Sequence, residues 1–421
     1  MNRMNPAEGL AHPESGLPPT RYHYMDNLRA LAMLAGIFFH AALAYSPMLN
    51  QLWLSASSET SAAMDFFAWF SHLFRMPLFF LIAGFFTCYL VGKRGIGGLL
   101  KNRALRILVP FVVFLPLVWI TIGTGIEWAM ANVEQKSPLL NVFAYMASMP
   151  DAPPPPVTTT HLWFLYNLCQ FYLVYAVLER TGVLKARWAG VLADPRFLIF
   201  VLPLLILPAL ATQPSPHPAP EQFTPKLWAF GFYGLFFLVG AQLFRQPARI
   251  DALRPWAPWL LVSSLGLYAG FYALLPKSIS LEAAMASQQA GVTMTLGHVG
   301  TAALGAIVAV HMTLVCLVAG RIFMDRANPI VRFIADSSYW VYIIHLPLLF
   351  GIQYWLLDST LGMWSQFAVS SFGTLAIGIL TYTVFVRWTP LGWLLHGRRK
   401  QGSRPQSTAA AAGDVAQEIG A

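Results

Sequence analysis

The amino-acid sequence predicts an all-α protein, a polytopic transmembrane helical bundle of about ten spans with both termini in the cytoplasm. Three observations carry this. Only 11% of the 421 residues are charged and 57% are hydrophobic, against about 25% charged in soluble domains. The apolar residues gather into runs of about 20, the length a helix needs to cross a bilayer. The basic residues segregate: 23 of the 27 Lys and Arg fall in connections on one side, and only Lys136, Lys226 and Lys277 fall on the other. That bias sets the orientation. It also explains the formal net charge of +9 topologically, so no nucleic-acid partner is implied, and the lipid bilayer is the partner the chain is built for.

In chain order, residues 1–20 are polar and rich in Pro and Gly. They lack the apolar core of a cleavable signal and are expected to be disordered. Spans are expected at 27–47, 65–91, 104–126, 161–180, 196–212, 227–245, 256–275, 300–323, 336–356 and 367–388. The segment 196–212 is short and holds Pro203 and Pro208; a broken helix is tolerated there if it is buried in the bundle. The largest outer connection is 127–160, which ends in PDAPPPPVTTT, and its proline run favours a stiff, extended path. The connection 213–226, with QPSPHPAP, reads the same way. The tail 401–421 is rich in Ala, Gln and Ser and is expected to be disordered. Residues 21–400 therefore form one membrane unit. Cys88, Cys169 and Cys316 all fall in expected spans and read as small packing residues. No CxxC, HExxH, Walker A or GxGxxG occurs, so no metal site and no bound nucleotide cofactor is expected.

Ionisable groups inside a bilayer are costly and mark functional sites. In the first span, DNLRALAMLAGIFFHAALAYSP, Arg29 and His40 are eleven residues apart. That is about three turns, so they share one stripe about 16 Å apart along the axis. Met33 and Gly36 lie between them, and the glycine leaves room for something thin along the helix. In the second span, FSHLFRMPLFFLIAGFF, His72 and Arg75 share a face. Arg75 is the only basic residue deep in a span, and the apolar runs offer it no Asp or Glu at that depth. An unpaired buried Arg is poorly explained as structure and favours an anionic ligand. His161 opens the fourth span. Ser338, Tyr342 and His345 follow at i, i+4 and i+7 as a polar stripe. His311 reads as a packing residue. Arg103 and Arg106, in a basic cluster set mainly by topology, have the spacing to clamp phosphates.

At these residues the sequence resembles the acyltransferase-3 family of ten-span membrane acyltransferases. The resemblance lies in the Arg29–His40 spacing, in FRMPLFFLIAGFF (74–86), in RALRILVP (103–110) and in SYWVYIIHLP (338–347). Within the family, MDNLRALAMLAGIFFH, SHLFRMPLFF and HLWFL are most similar to the succinyltransferases of osmoregulated periplasmic glucans. Ala83 departs from the Ser of many members. The resemblance implies a multi-pass protein of the cell inner membrane that moves an acyl group from cytoplasmic acyl-CoA to an extracytoplasmic glycan. It implies His40 as the catalytic histidine and Arg29 as its motif partner.

The residues accommodate this chemistry. Acyl-CoA, as succinyl-CoA or acetyl-CoA, is a donor substrate and not a permanently bound cofactor. Its nucleotide end would rest at Arg29, Arg103 and Arg106, and its thioester would meet His40. A neutral His can take the proton of an attacking sugar hydroxyl, and an acyl-histidine intermediate is the alternative. Arg75 or His345 would stabilise the oxyanion, with His72, Arg75, His161, Tyr342 and His345 lining the substrate site. An acetyltransferase of another surface glycan is the near alternative. A secondary transporter also places ionisable groups at the midplane, yet the His/Arg pattern of spans 1–2 has no counterpart in spans 6–7. The acceptor and the oligomeric state are left open by the sequence.

Overall fold

The computed structural model describes residues 22–151 and 156–396. The expected disordered flanks, 1–20 and 401–421, and most of the proline run lie outside the described residues. Within them every regular element is helical and no strand occurs. The principal helices are α1 (His23–Leu43), α2 (Ala62–Arg103), α3 (Val109–Asn132), α4 (Pro138–Ala147), α5 (Trp163–Arg180) and α6 (Phe197–Ala211). They continue as α7 (Leu227–Arg245), α8 (Ala257–Leu274), α9 (Leu281–Ala290), α10 (Leu296–Phe323), α11 (Pro329–Leu357) and α12 (Met363–Val386). A helix occupies each of the ten segments expected to span. Among the described residues, seven helical stretches are long and apolar enough to cross a membrane. The first helix is diluted by Asp26, Arg29 and His40 and is not among them. At 15 residues α6 reaches about 22 Å at 1.5 Å per residue, short of the roughly 30 Å hydrocarbon core.

Several boundaries differ from expectation for physical reasons. The basic connection 92–103 is helical, not a loop. The whole run Ala62–Asn132 is helical over 71 residues, broken only at Gly95, whose φ of 65° and ψ of 179° leave the helical region. A glycine adopts that conformation without a Cβ clash. His72 and Ile122 line one cavity, although 50 residues of straight helix would separate them by about 75 Å. The chain therefore doubles back at Gly95. The outer connection 127–160 also contains structure: α3 runs on to Asn132, and Ser137 caps α4 by accepting from the Leu140 amide at 3.1 Å. Helix α1 starts at His23 and ends at Leu43, earlier than expected. His40 is thereby in its last turn and not mid-span.

The tightest packing joins α2 to α7. A Cβ on Gly84 would sit 1.8 Å from the Phe237 carbonyl oxygen, and one on Gly240 would sit 1.8 Å from that of Leu81. The two backbones touch through reciprocal glycines, the small-residue contact by which membrane helices approach closely. Aromatic rings fill the rest of this seam: Phe80 stands 4.8 Å from Tyr233 and 5.1 Å from Phe171. At the Arg29 end, Glu179 of α5 is buried and pairs with Arg245 of α7 at 2.5 Å. Helix α1 lies inside this frame, packed on α2, α10, α11 and α12.

Overpacking a core typically costs about 1–3 kcal/mol when side chains can shift; here the obstacle is backbone. Gly84→Ala and Gly240→Ala are each expected to lower stability by at least about 2–3 kcal/mol. Gly92→Ala, with open space around it, is expected to leave stability unchanged. Thermal unfolding of the detergent-solubilised variants reads the difference.

Candidate active site

The bundle encloses one substantial cavity among the described residues, about 310 Å³ in volume. Its floor and sides come from α1 (Met33, Gly36, Phe39 and His40), α2 (His72, Arg75, Met76 and Phe79) and α11 (Tyr342, His345, Leu346 and Phe350). Its roof comes from connections at the His40 end: residues 52–54, the turn at Thr160–His161, and Ala219 with Glu221. Six of the nine candidate site residues singled out from the sequence thus meet in one place: His40, His72, Arg75, His161, Tyr342 and His345. Arg29, Arg103 and Arg106 are not in its wall.

The roof is tied down by hydrogen bonds. The Asp65 carboxylate accepts from the Ser46 hydroxyl and from the Met48 amide. The Ser55 hydroxyl donates to Gln353 Oε1 at 2.6 Å, and Gln353 Nε2 donates to the Ala41 carbonyl at 3.2 Å. The Ser137 hydroxyl donates to the Leu54 carbonyl at 2.6 Å. The Thr159 amide and hydroxyl both donate to the Glu221 carbonyl, at 2.7 and 2.8 Å. Thr160 has a φ of 47°, a left-handed conformation uncommon for a non-glycine residue. This strained turn delivers His161 into the cavity, a placement typical of functional sites.

Arg75 is buried, and its guanidinium has no ion pair among the described residues. It lies 4.9 Å from the Phe39 ring centroid, Nη1 is 3.5 Å from Met76 Sδ, and Nε has no partner. The His72 ring stacks on Phe39 at 5.3 Å. The notch at Gly36 is filled by this guanidinium: a Cβ there would stand 3.1 Å from Arg75 Nη1. The expectation that the notch receives an elongated ligand is corrected accordingly. The flat cation needs that space itself.

The histidines have their protons placed by backbone carbonyls. A carbonyl only accepts, so the ring nitrogen facing it carries hydrogen. His345 Nδ1 donates to the Tyr342 carbonyl at 2.6 Å, which leaves Nε2 as the lone-pair nitrogen of the neutral ring, with no partner. His72 Nε2 donates to the His217 carbonyl at 2.9 Å, which leaves Nδ1 free. His161 Nε2 donates to the Ile343 carbonyl at 3.0 Å, and the Tyr342 hydroxyl donates to the His161 carbonyl at 2.7 Å. The His40 ring is 5.2 Å from His345, which is 4.9 Å from His161. His40 Nδ1 is buried without a partner. Four imidazoles and one guanidinium thus share a largely apolar chamber, where electrostatic interactions are screened less than in water.

The remaining predicted residues lie towards the other end. Arg29 pairs with Asp26 at 3.3 Å, is 40% exposed and stands 5.9 Å from the Phe86 ring. It is on the His40 stripe, but the cavity stops at Met33. The Arg103 guanidinium lies over Tyr172 at 5.1 Å with its Nε unpartnered. Arg106 offers its carbonyl to the Tyr339 hydroxyl at 2.9 Å. Ser338 donates to the Ala335 carbonyl and stays out of the cavity. His311 behaves as a packing residue, 2.8 Å from the Ser263 hydroxyl and 3.3 Å from the Ile199 carbonyl. Trp53, His217, Glu221 and Gln353 were not singled out from the sequence. The first three sit in irregular connections whose path only tertiary packing fixes. Glu221 also amends the sequence-based view that no acid is near Arg75: it lines the same cavity, although it forms no ion pair with Arg75.

A helical membrane protein that encloses such a chamber is here a membrane-bound acyltransferase. The chain belongs to the acyltransferase-3 family, whose model, described as an acyltransferase domain, matches residues 22–383. It is 24% identical over 393 residues to glucans biosynthesis protein C of Escherichia coli strain K12. That alignment covers 91% of this chain and 96% of the relative, and the proteins of the same name from strains 536 and SMS-3-5 match to the same extent. No solved structure matches this chain.

Filling the Gly36 notch tests whether the seated guanidinium matters to the reaction. Gly36→Val is expected to displace Arg75 and reduce acyl transfer at least tenfold, with the folded protein retained. Gly266→Val, in open space, is expected to transfer at the native rate. Comparing turnover of the two purified variants checks this.

Proposed function

We propose that this chain is a ten-pass protein of the bacterial inner membrane, with both termini cytoplasmic. It transfers a succinyl group from cytoplasmic acyl-CoA to a hydroxyl of an extracytoplasmic glycan. The observation that carries the reading is the chamber that unites His40 with a guanidinium that forms no ion pair among the described residues. The name shared by the relatives, glucans biosynthesis protein C, supports a glucan as the acceptor.

In this reading the nucleotide end of CoA rests at Arg29, Arg103 and Arg106. His40 lies about 16 Å further along α1 at 1.5 Å per residue, a span that an extended thioester arm covers by a path beside the Gly36 notch, which Arg75 occupies. The acceptor enters from the roof. His40 takes the proton from the acceptor hydroxyl as its oxygen attacks the thioester carbonyl. The tetrahedral oxyanion collapses, the carbon–sulfur bond breaks, and the thiolate of CoA takes the proton from the imidazolium. Ester and free CoA result. His345 and His161 line the path of the reacting atoms. Arg75 binds the distal carboxylate of the succinyl group in a desolvated, bidentate pair.

General-base catalysis contributes typically 10²–10⁴-fold. His40→Ala is therefore expected to retain less than about a tenth of the transfer rate while inserting and purifying normally. Transfer from labelled succinyl-CoA above that level removes His40 from the role. Removing one partner of a buried pair typically costs about 3–5 kcal/mol. Arg75→Gln is accordingly expected to depress succinyl kcat/KM by at least about a hundredfold, at about 1.4 kcal/mol per tenfold. Acetyl transfer, which brings no distal carboxylate, is expected to fall far less. An unchanged succinyl-to-acetyl ratio assigns Arg75 to the oxyanion or the glycan instead.

A further inference from the structure

Two side chains in the cavity roof have no part in the reaction as derived so far. Trp53 comes from the connection after α1 and Glu221 from the connection between α6 and α7. Both approach from the His40 end. Trp53 Nε1 is buried and has no hydrogen-bond partner. Its ring lies near-parallel to that of His40, at 16° and 6.1 Å, and 5.3 Å from Phe350. Its neighbours in the chain are fixed: the Leu54 carbonyl accepts from Ser137, and the Ser55 hydroxyl donates to Gln353. The Glu221 backbone is held by the paired bonds from Thr159. Its carboxylate makes no ion pair or hydrogen bond to a described residue and is the only acidic group in the cavity wall among the described residues.

We propose that Glu221 and Trp53 form a subsite for one neutral sugar residue of the acceptor, with the carboxylate accepting from its hydroxyls and the indole lying against its ring. The proposal rests on the reading that the acceptor is a glycan. An ionised carboxylate is acceptor-only and takes two donors at once, and adjacent sugar hydroxyls supply them. The C–H face of a pyranose is apolar and suits an aromatic wall. A cavity of about 310 Å³ is near the lower end of the roughly 300–1,000 Å³ of small-molecule sites. It admits one sugar unit beside the acyl end of the donor, and the rest of the glycan stays beyond the roof. Charge reinforces the division: Glu221 repels a succinyl carboxylate and Arg75 attracts it, so donor and acceptor are drawn to different residues of the wall.

Burial pushes the Glu221 carboxyl up to about 7. Above that pH the ionised form binds hydroxyls as a double acceptor; below it the protonated form has lost that capacity. The other ionisable groups of the chamber are His40 on α1, His72 and Arg75 on α2, His161 before α5, and Tyr342 and His345 on α11. Comparing wild type with Glu221→Gln isolates the contribution of the carboxyl from theirs.

The test is calorimetric binding of glucose trisaccharides of several linkages to the full-length detergent-solubilised protein, with CoA binding measured alongside as the check of fold. Wild type is expected to bind at least one trisaccharide, more weakly at pH 6 than at pH 8. Hydrogen bonds to charged groups imply that Glu221→Gln weakens binding by about tenfold or more and flattens the pH dependence. Glu221→Asp, which keeps the charge, is expected to preserve the pH dependence. Trp53→Ala is expected to weaken trisaccharide binding to a similar degree. Identical affinities in wild type, Glu221→Gln and Trp53→Ala overturn the subsite and leave the glycan reading standing. Wild type that binds CoA and hydrolyses succinyl-CoA but binds no trisaccharide overturns the glycan reading, and the subsite with it.

Discussion

The arrangement of the chamber depends on where the Arg75 cation is put. A guanidinium cannot lose its charge under biological conditions, and its burial without an anion is unfavourable. The protein meets this with geometry. Gly36 removes a side chain where Nη1 must lie, Phe39 presents its ring face 4.9 Å away, and Met76 offers a soft sulfur. Phe39 also carries His72 on stacked rings. The residues that seat the cation thus also orient the imidazoles. Among the described residues the cation is left without an ion-pair partner, and that is the demand the proposed acyl carboxylate would meet.

Two structural devices make such a chamber sustainable. The reciprocal glycine contact between α2 and α7 brings two backbones together, so the helix that carries His72 and Arg75 is fixed along its length. The irregular roof, tied through Asp65, Gln353, Ser137 and Thr159, closes the end of α1 over His40. Backbone carbonyls hold the protons on one nitrogen of His72, His161 and His345. The opposite nitrogens of His72 and His345 have no protein partner. A site whose rotamers and tautomers are set before substrate arrives has less to reorganise during the reaction.

The residues singled out from the sequence divide between two ends of the molecule. His40 and its companions lie in the cavity, whereas Arg29, Arg103 and Arg106 lie away from it beside Asp26, Tyr172 and Tyr339. Helix α1 connects the ends, with its other faces packed on α2, α10, α11 and α12. The donor proposed above, with a charged nucleotide at one extremity and a reactive thioester at the other, would engage both ends.

The sequence by itself determined the helical class, the segments that the ten expected helices occupy, and the ionisable residues worth attention; it left out the extension of α2 through 92–103 and the helices α4 and α9. Apolar length, Lys/Arg asymmetry and the expense of charge in lipid are local properties that can be read without a fold. It also indicated that His40, His72, Arg75, His161, Tyr342 and His345 belong together, because a bundle turns its polar stripes inward. Tertiary structure alone decided that Gly36 houses Arg75, that Arg29 is left outside the chamber, and that the connection 92–103 is helix with a reversal at Gly95. It alone brought Trp53 against the His40 ring and Glu221 into the wall of the same cavity, from connections distant in sequence. Irregular segments have no periodicity from which a facing direction can be read. Their paths follow from hydrogen bonds such as Thr159 to Glu221 and Ser137 to Leu54, whose partners are 62 and 83 residues apart.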